Sequence, residues 1–256
     1  MERWNATHYL KYAGERTRPA VDLAARIHLE RPDSIADLGC GPGNSTEILR
    51  NRWPDARVVG VDNSAEMIDA ATRSFPARQW VLADLASWAP ATPIALVFSN
   101  AALQWLPNHR LLLQRLFSFV APGGALAFQI PSSHYATVRS LIHELSYEPA
   151  WTDRMTGARA ALTMEAPSVY YDTLAGDAGA LDIWETEYIH VMDSHGAIVD
   201  WITSTGLRPF LGALDTSAER ERFLTELRDR VSSAYAVRHD GKVLFPFRRT
   251  FVIAYR

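Results

Sequence analysis

The stretch DLGCGPGNST, residues 37–46, decides the fold of this chain. It follows the short apolar segment SIADLG at 34–39 and leads into STEILRNRW at 45–53, which is predicted to be a helix that stops at Pro54. Glycines at such a junction let the backbone approach a ligand without a Cβ in the way, and the following helix begins with free N–H groups. The stretch therefore predicts a strand, a tight turn and a helix, with a binding site at the turn.

The segments around this turn repeat the rhythm of strand and helix. Asn63 and Glu66 indicate a capping box for the helix after the second strand, and Thr216 and Glu219 indicate another late in the chain. No assignment is made for 148–167. Strands are predicted at 34–39, 57–62, 79–84, 94–100, 125–130, 181–192 and 249–256, and helices at 20–29 (after Pro19), 45–53, 64–74, 109–120, 135–147, 168–179, 195–206 and 216–238.

Alternating strands and helices indicate βαβ units and a doubly wound, mostly parallel α/β sheet. With the seven predicted strands, we expect a Rossmann-like core with a helical lid inserted before the last strand. The expected domains are an N-terminal helical arm at 1–30, a core at 31–192, the lid at 193–241 and the last strand at 242–256.

Composition excludes several classes of function. A net charge of −3 gives no basic field for nucleic acid. Because Cys40 is the single cysteine, an internal disulfide is excluded, and Cys40 is expected to be a packing residue. The eight histidines form no H-E-x-x-H motif, so no metal is expected. No apolar stretch is long enough to span a membrane, and the N-terminus does not resemble a signal peptide, so we expect a cytoplasmic protein. The sequence does not indicate an oligomeric state.

Acidic residues at strand ends indicate the ligand. Asp62 closes the second strand about 20 residues past the turn, where a carboxylate can accept both hydroxyls of a ribose. A dinucleotide fingerprint needs glycine at the position of Asn44, and no P-loop motif is present. Asp37, just before the turn, would repel a pyrophosphate but suits a ligand with an amine or a sulfonium cation. Asp84 follows the third strand, where it can accept from an adenine amino group.

The stretches DLGCGPGNST, VGVDNS, LADLASW and SNAALQWLPN resemble motifs I to IV of the class I S-adenosylmethionine-dependent methyltransferases. The resemblance implies S-adenosylmethionine as the cofactor. It also implies that Asn100, at the end of the fourth strand, meets the methionine portion, and that Arg18 holds the cofactor's carboxylate. The implied cofactor-binding residues are Asp37, Gly39, Gly41, Gly43, Asn44, Asp62, Asn63, Met67, Asp84, Leu85, Asn100 and Arg18.

Further stretches, YLKYAGERTRPA, DIWETEYIH, DWITSTGLRPFL and FVIAYR, resemble the branch of this family that esterifies trans-aconitate. This implies methyl transfer to a carboxylate of a small polycarboxylic acid. A carboxylate is already ionised at neutral pH, so no general base is expected and no catalytic residue is assigned. FPFRR leaves open whether Arg248 or Arg249 is the comparable arginine, with Arg249 favoured. The implied substrate-binding residues are Tyr170, Trp201, Arg208, Arg249 and Trp105.

Three other readings compete with this one. A different small-molecule methyltransferase, acting on a carbon or a phenol as in quinone synthesis, would share the cofactor motifs. A non-enzymatic module that binds S-adenosylmethionine would share them as well. A nicotinamide dehydrogenase would share the sheet, although Asn44 and Asp37 argue against it.

Overall fold

A computed structural model describes residues 13–132 and 137–256. Helices and strands alternate through its first half, as predicted. In chain order they are α1 (Ala13–Arg26), β1 (Ser34–Leu38), α2 (Asn44–Arg52), β2 (Arg57–Asp62), α3 (Ala65–Ser74), β3 (Gln79–Leu82), β4 (Ile94–Asn100), a 3-10 turn (Leu103–Trp105), α4 (His109–Ser118), β5 (Val120–Pro131), α5 (Thr137–Ser146), α6 (Thr156–Arg159), α7 (Pro167–Leu174), β6 (Ala180–Met192), α8 (His195–Thr203), α9 (Arg208–Gly212), α10 (Ser217–Ala234) and β7 (Val243–Tyr255).

The strands form one seven-stranded sheet in the order β3-β2-β1-β4-β5-β7-β6. Strands β1 to β5 pair in parallel, and β7 runs antiparallel to β5. The predicted doubly wound, mostly parallel α/β fold is therefore confirmed. The strand order reverses direction between β1 and β4, and in such sheets a crevice opens beyond the carboxyl ends of the two strands. That crevice is where the glycine turn after β1 lies.

The described residues fall into two compact units. The sheet unit comprises residues 13–131, 163–186 and 249–256, and the helical unit comprises 132, 137–162 and 187–248. The helical unit differs from the predicted lid because it also includes α5 and α6, which contact α10 and α9 respectively. The functional division into arm, core and lid stays a prediction.

The sheet unit has a large apolar core packed against its strands. All five residues of β1 are buried, as expected for a central parallel strand. The core includes Leu38, Val97, Leu126 and Phe128, all with no exposed surface. Each such side chain contributes about 1.5–3 kcal/mol when it is removed from water, so the strand ends that carry the site are firmly held.

Several predicted boundaries differ from the structure. Helix α1 spans Ala13–Arg26 and contains Pro19, which was expected to precede it. The cap of α3 is Ser64, whose hydroxyl accepts from the Met67 N–H, and not Asn63. Strand β5 begins at Val120, five residues before the predicted strand, and β7 begins at Val243, near the expected domain boundary at 242 but six residues before the strand predicted at 249–256. The Thr216–Glu219 capping box is confirmed, whereas α6 and α9 were not predicted.

Over residues 13–132 and 137–256, the structure contains no helix that is both long and apolar enough to span a bilayer.

Candidate active site

The turn after β1 is built from glycines in left-handed backbone conformations. The backbone N–H groups of Gly39 and Cys40 both donate to the Val61 carbonyl of β2, at 2.7 and 3.1 Å. Gly39 has φ +74°, and a Cβ there would lie 2.1 Å from the Cβ of Ala102. Gly41 has φ +54°, but a Cβ there would meet nothing within 4 Å. The chain therefore requires glycine at 39 for packing, whereas Gly41 leaves open space where a ligand can approach.

The carboxylate of Asp62 is held by backbone donors at the end of β2. Its Oδ2 accepts from the Gly41 N–H and its Oδ1 from the Ser64 N–H, both at 2.9 Å. Burial raises the pKa of Asp62, and hydrogen bonds from Ser64, Gly41 and Asn63 oppose that shift. Each carboxylate oxygen has a second lone pair, so the group can still accept from a ligand's hydroxyls.

Asp37, near the end of β1, is a buried acid. Its Oδ2 accepts from Ser45 Oγ at 2.7 Å and from Thr46 Oγ1 at 2.6 Å, whereas its buried Oδ1 has no hydrogen-bond partner in the part of the chain that the structure describes. Burial raises the pKa of Asp37 from 3.8 to about 6, and the nearby charge of Asp62 adds to the effect. A buried carboxylate oxygen without a partner is costly unless a ligand supplies one.

A cleft lies beside this turn, at the carboxyl ends of β1 and β4. Ser45, which bonds Asp37, is one of its lining residues. Of the predicted cofactor residues, Gly39, Gly41, Asn44 and Asn100 line it. Among residues 13–132 and 137–256, the lining is formed by Arg16, Thr17, Ala20, Gly39, Cys40, Gly41, Pro42, Asn44, Ser45 and Asn100.

Among the residues that the structure describes, the arginine that lines the cleft is Arg16, whereas the predicted Arg18 does not line it. Both lie on α1, where Arg16 is buried and Arg18 is exposed. Residues four apart share a helix face, so Arg16 lies with Ala20 on the side toward the turn, and Arg18 lies on the opposite side. Because the helix was predicted to start after Pro19, Arg16 was not considered as a helical residue four positions before Ala20.

Asn100 belongs to a buried chain of polar side chains. Its Oδ1 accepts from Gln129 Nε2 at 2.5 Å, and Gln129 Oε1 in turn accepts from Arg249 Nη1 at 3.5 Å. Gln129 has no exposed surface and Arg249 is 6% exposed, whereas Arg248 is less buried and pairs with Glu187. Arg249 is therefore linked through Gln129 to Asn100, which lines the cleft, and this favours Arg249 over Arg248 as the arginine that acts at the site.

The chain just after β4 adopts a strained conformation. Ala101 has φ +54°, which residues with a side chain rarely adopt, and its N–H donates to the Gln129 carbonyl at 2.9 Å. The next residue, Ala102, leaves no room for a side chain at Gly39. The turns after β1 and β4 are therefore packed against each other, which fixes both edges of the cleft.

Asp84 is exposed and lies in the loop after β3, where its Oδ1 accepts from the Ala86 N–H at 2.9 Å. The side chain of Arg115 holds this loop by donating to the carbonyls of Leu85 and Trp88. Of the other predicted cofactor residues, Leu85 and Met67 are buried and Asn63 is exposed. Gly43 packs against an aromatic side chain: a Cβ there would lie 2.7 Å from Trp80.

Tyr170 lies in the core and not at the cleft. It is fully buried, and its hydroxyl accepts from the Glu165 N–H at 2.9 Å and lies 3.0 Å from His109 Nδ1. Because the Leu103 carbonyl can only accept, His109 Nε2 donates to it at 3.0 Å, and Nδ1 of the neutral imidazole then accepts from the Tyr170 hydroxyl. Burial lowers the pKa of His109 and raises that of Tyr170. Tyr170 therefore braces the 3-10 turn, which argues against its predicted contact with substrate.

The remaining predicted substrate residues are divided between the units. Trp105 is half-buried in the 3-10 turn of the sheet unit. In the helical unit, Arg208 begins α9, and Trp201 is buried on α8 with its ring 4.7 Å from that of His190. Cys40 is buried and its thiol pKa is raised by burial, consistent with the predicted packing role.

Sequence reasoning missed three kinds of site residue. Arg16 could have been found from the i, i+4 spacing on α1. Ser45 and Thr46, the hydroxyl partners of Asp37, lie within the opening motif itself. Gln129 carries no sequence signal, because its role depends on strand pairing. Among the described residues, no group of three or more His, Cys, Asp or Glu side chains is placed to hold a metal ion.

Comparison with known proteins gives this geometry a family. Residues 35–124 match the model of a methyltransferase domain. A putative methyltransferase from Bacillus halodurans C-125 superimposes with a TM-score of 0.59 at 14% identity, covering 94% of this chain and 99% of that one. A phosphoethanolamine N-methyltransferase from Haemonchus contortus, solved with S-adenosyl-L-methionine, gives a TM-score of 0.61 at 12% identity, covering 97% of this chain and 56% of that one. These structures share the fold.

Curated relatives are much more similar in sequence. The trans-aconitate 2-methyltransferase of Azoarcus sp. (strain BH72) is 47% identical over 256 residues, covering 100% of both chains. The protein of the same name from Escherichia coli O157:H7 (strain EC4115 / EHEC) is 43% identical over 256 residues, covering 100% of this chain and 99% of its own. This identity extends over the whole chain, which also has the methyltransferase fold, so the chain belongs to the trans-aconitate 2-methyltransferase family.

Proposed function

We propose that this protein transfers the methyl group of S-adenosylmethionine to a carboxylate of a small polycarboxylic acid, most directly trans-aconitate, and forms its monomethyl ester. The observation that carries the proposal is the identity of 43–47% to relatives of that name over the whole chain. The geometry around the cleft supports it independently, because the donors that line the cleft and the carboxylates of Asp37 and Asp62 beside it suit that cofactor.

The buried Oδ1 of Asp37 is the structural test of whether the cofactor fits. This oxygen has no hydrogen-bond partner, and a cationic ligand in the neighbouring cleft would offset the cost of burying it. In this proposal Asp62 accepts from the ribose hydroxyls and Asp84 from the adenine amino group. Arg16, on the cleft wall, holds the amino-acid carboxylate.

When bound, S-adenosylmethionine supplies a methyl group activated by a positively charged sulfur. A carboxylate nucleophile has a reference pKa near 4, so the site needs alignment and exclusion of water more than it needs a base. Within the sheet unit, Trp105 remains a candidate for contact with the substrate on this proposal. Arg249 supplies a buried cation in the sheet unit.

The experiment that tests the proposal is methyl transfer from radiolabelled S-adenosylmethionine to a panel of di- and tricarboxylic acids. We expect base-labile label on trans-aconitate, well above the label on cis-aconitate and citrate, because an ester is released by alkali and a methyl on carbon is not. Binding of S-adenosylhomocysteine, measured by titration calorimetry, reports separately on the cofactor site.

Each result decides between the readings. Base-stable label on a phenol or carbon acceptor would replace the proposal with another small-molecule methyltransferase. Tight binding of S-adenosylhomocysteine with no label on any acceptor would favour a non-enzymatic binding module. Binding of NAD instead of S-adenosylhomocysteine would contradict the cofactor assignment as well.

A further inference from the structure

The side chains of Asn100, Gln129 and Arg249 form a hydrogen-bonded chain that can run in only one direction. Gln129 is completely buried between the other two, with Nε2 at 2.5 Å from Asn100 Oδ1 and Oε1 at 3.5 Å from Arg249 Nη1. A guanidinium group has donors and no acceptor. The Gln129 atom that faces Arg249 must therefore be its oxygen.

The direction of the chain then determines how Asn100 is oriented. Because the oxygen of Gln129 faces Arg249, its amide nitrogen faces Asn100 and must find an acceptor there. Asn100 consequently turns its own oxygen inward, which leaves its Nδ2 donors for the cleft that it lines. An asparagine without such a chain could present either its oxygen or its nitrogen to a ligand.

We propose that Arg249 acts through Gln129 as a positioning residue, which fixes the Asn100 amide so that it donates an N–H to a carboxylate bound in the cleft. The inference rests on the proposed function, since both reactants carry carboxylates: the cofactor in its amino-acid part and the polycarboxylic acid. Arg16, on the same cleft wall, adds a positive charge that suits an anionic group.

Gln129→Glu is the decisive variant, because it preserves shape and inverts the chain. A carboxylate can only accept, so both Arg249 and Asn100 would have to donate to it, and Asn100 would turn its oxygen toward the cleft. The buried carboxylate retains Arg249 as its partner, which supports folding. We expect the Kd for S-adenosylhomocysteine or the KM for trans-aconitate to rise about 10-fold or more, because a hydrogen bond to a charged group is replaced by repulsion.

The same substitution in an Asn100→Ala background separates positioning from structural damage. If Gln129 acts through the Asn100 amide, Gln129→Glu should cause no further loss once that amide is removed. Arg249→Lys, which keeps a donor facing Gln129, should bind ligand more nearly like the wild type than Arg249→Met does. Thermal melting of every variant shows which of them are folded.

The two readouts identify which carboxylate is bound. A higher Kd for S-adenosylhomocysteine would assign the bound carboxylate to the cofactor. A higher KM for trans-aconitate with an unchanged Kd would assign it to the substrate. Unchanged Kd and KM in Gln129→Glu would overturn the inference. An equal loss of affinity from Gln129→Glu in the wild-type and in the Asn100→Ala background would overturn it as well. A wild type that binds S-adenosylhomocysteine but methylates no acid contradicts the proposed function alone, and the titration then decides the inference.

Discussion

Two sets of side chains with opposite chemistry lie around the cleft: an acidic edge, Asp37 and Asp62, and a donor edge, Asn100 with Gln129 and Arg249 behind it. At the ends of β1 and β2 stand two carboxylates, Asp37 and Asp62, held by hydroxyl and backbone donors. At the ends of β4 and β5 and on β7 stand an amide pair and a guanidinium, Asn100, Gln129 and Arg249. The first edge can accept from hydroxyls and pair with cations, and the second can donate to anions. A ligand with a positive and a negative part would therefore be oriented by this contrast.

The edges also differ in how they are held. Asp62 is bonded to backbone N–H groups only two and 21 residues away in sequence, so the glycine turn itself fixes its position. Gln129 and Arg249 are 120 residues apart and meet only because β5 pairs with β7. The acidic edge is a local construction, whereas the donor edge requires the completed sheet.

The largest expected effect comes from removing the anchor of the acidic edge. Asp62→Ala should weaken S-adenosylmethionine binding on the order of 100-fold, because two hydrogen bonds between the carboxylate and the ribose would be lost. Titration calorimetry measures this directly. Asp69→Ala, on the exposed side of α3, is the matched control and should bind like the wild type. Affinity equal to that of the wild type in Asp62→Ala would show that the ribose lies elsewhere.

Asp37→Asn should separate stability from binding at the same edge. Asparagine can still accept from Ser45 and Thr46 but carries no charge. Folding raises the pKa of Asp37 from 3.8 to about 6, so the folded protein binds the proton more tightly, and wild-type stability is lost as pH rises through that interval. Without cofactor, the variant should be more stable than the wild type by roughly 2–3 kcal/mol above pH 6, with little difference near pH 4.

Denaturant unfolding at the two pH values measures the stability difference. Binding should move in the opposite direction, because the cofactor's cation loses its partner. A variant that is less stable at neutral pH, or that binds S-adenosylmethionine as tightly as the wild type, would contradict the role given to the buried carboxylate.

Tyr170→Phe tests whether the core beneath the donor edge takes part in binding. The loss of its hydroxyl leaves the Glu165 N–H and His109 Nδ1 without their partner, so we expect a loss of about 1–3 kcal/mol in stability. The KM for trans-aconitate should stay close to the wild-type value in initial-rate measurements. A large rise in KM with unchanged stability would instead restore Tyr170 as a substrate contact.

Gly41→Ala should have the smallest effect on folding among these changes. The left-handed φ of +54° costs alanine about 1–2 kcal/mol, but the new Cβ meets no protein atom within 4 Å. It would project into the space beside the cleft, so cofactor affinity should fall while the fold survives. Gly39→Ala is the sterically blocked comparison: its Cβ would collide with Ala102, and thermal melting should show a much larger destabilisation.

Most of the fold and the acidic edge could be predicted because their signals are local. Glycines, strand-end acids and helical periodicity lie within a few dozen residues of one another. The donor edge could be predicted only in part: Asn100 and Arg249 were expected in the site, but Gln129 between them is an ordinary residue in a strand. The contact of Tyr170 with substrate stays a prediction; its place in the core could not be seen beforehand, because a tyrosine bonded within the core and one facing a ligand look alike in sequence.

The buried carboxyl group of Asp37 also makes proton exchange part of ligand capture. With a pKa of about 6 in the free protein, this group carries a proton in much of the population under mildly acidic conditions. A cation seated nearby lowers that pKa, so the proton must depart to the buffer as the ligand arrives. The heat of binding should then vary with the ionisation enthalpy of the buffer at pH 5 and lose that dependence at pH 8. Calorimetry in several buffers would therefore measure the number of protons released when the ligand binds.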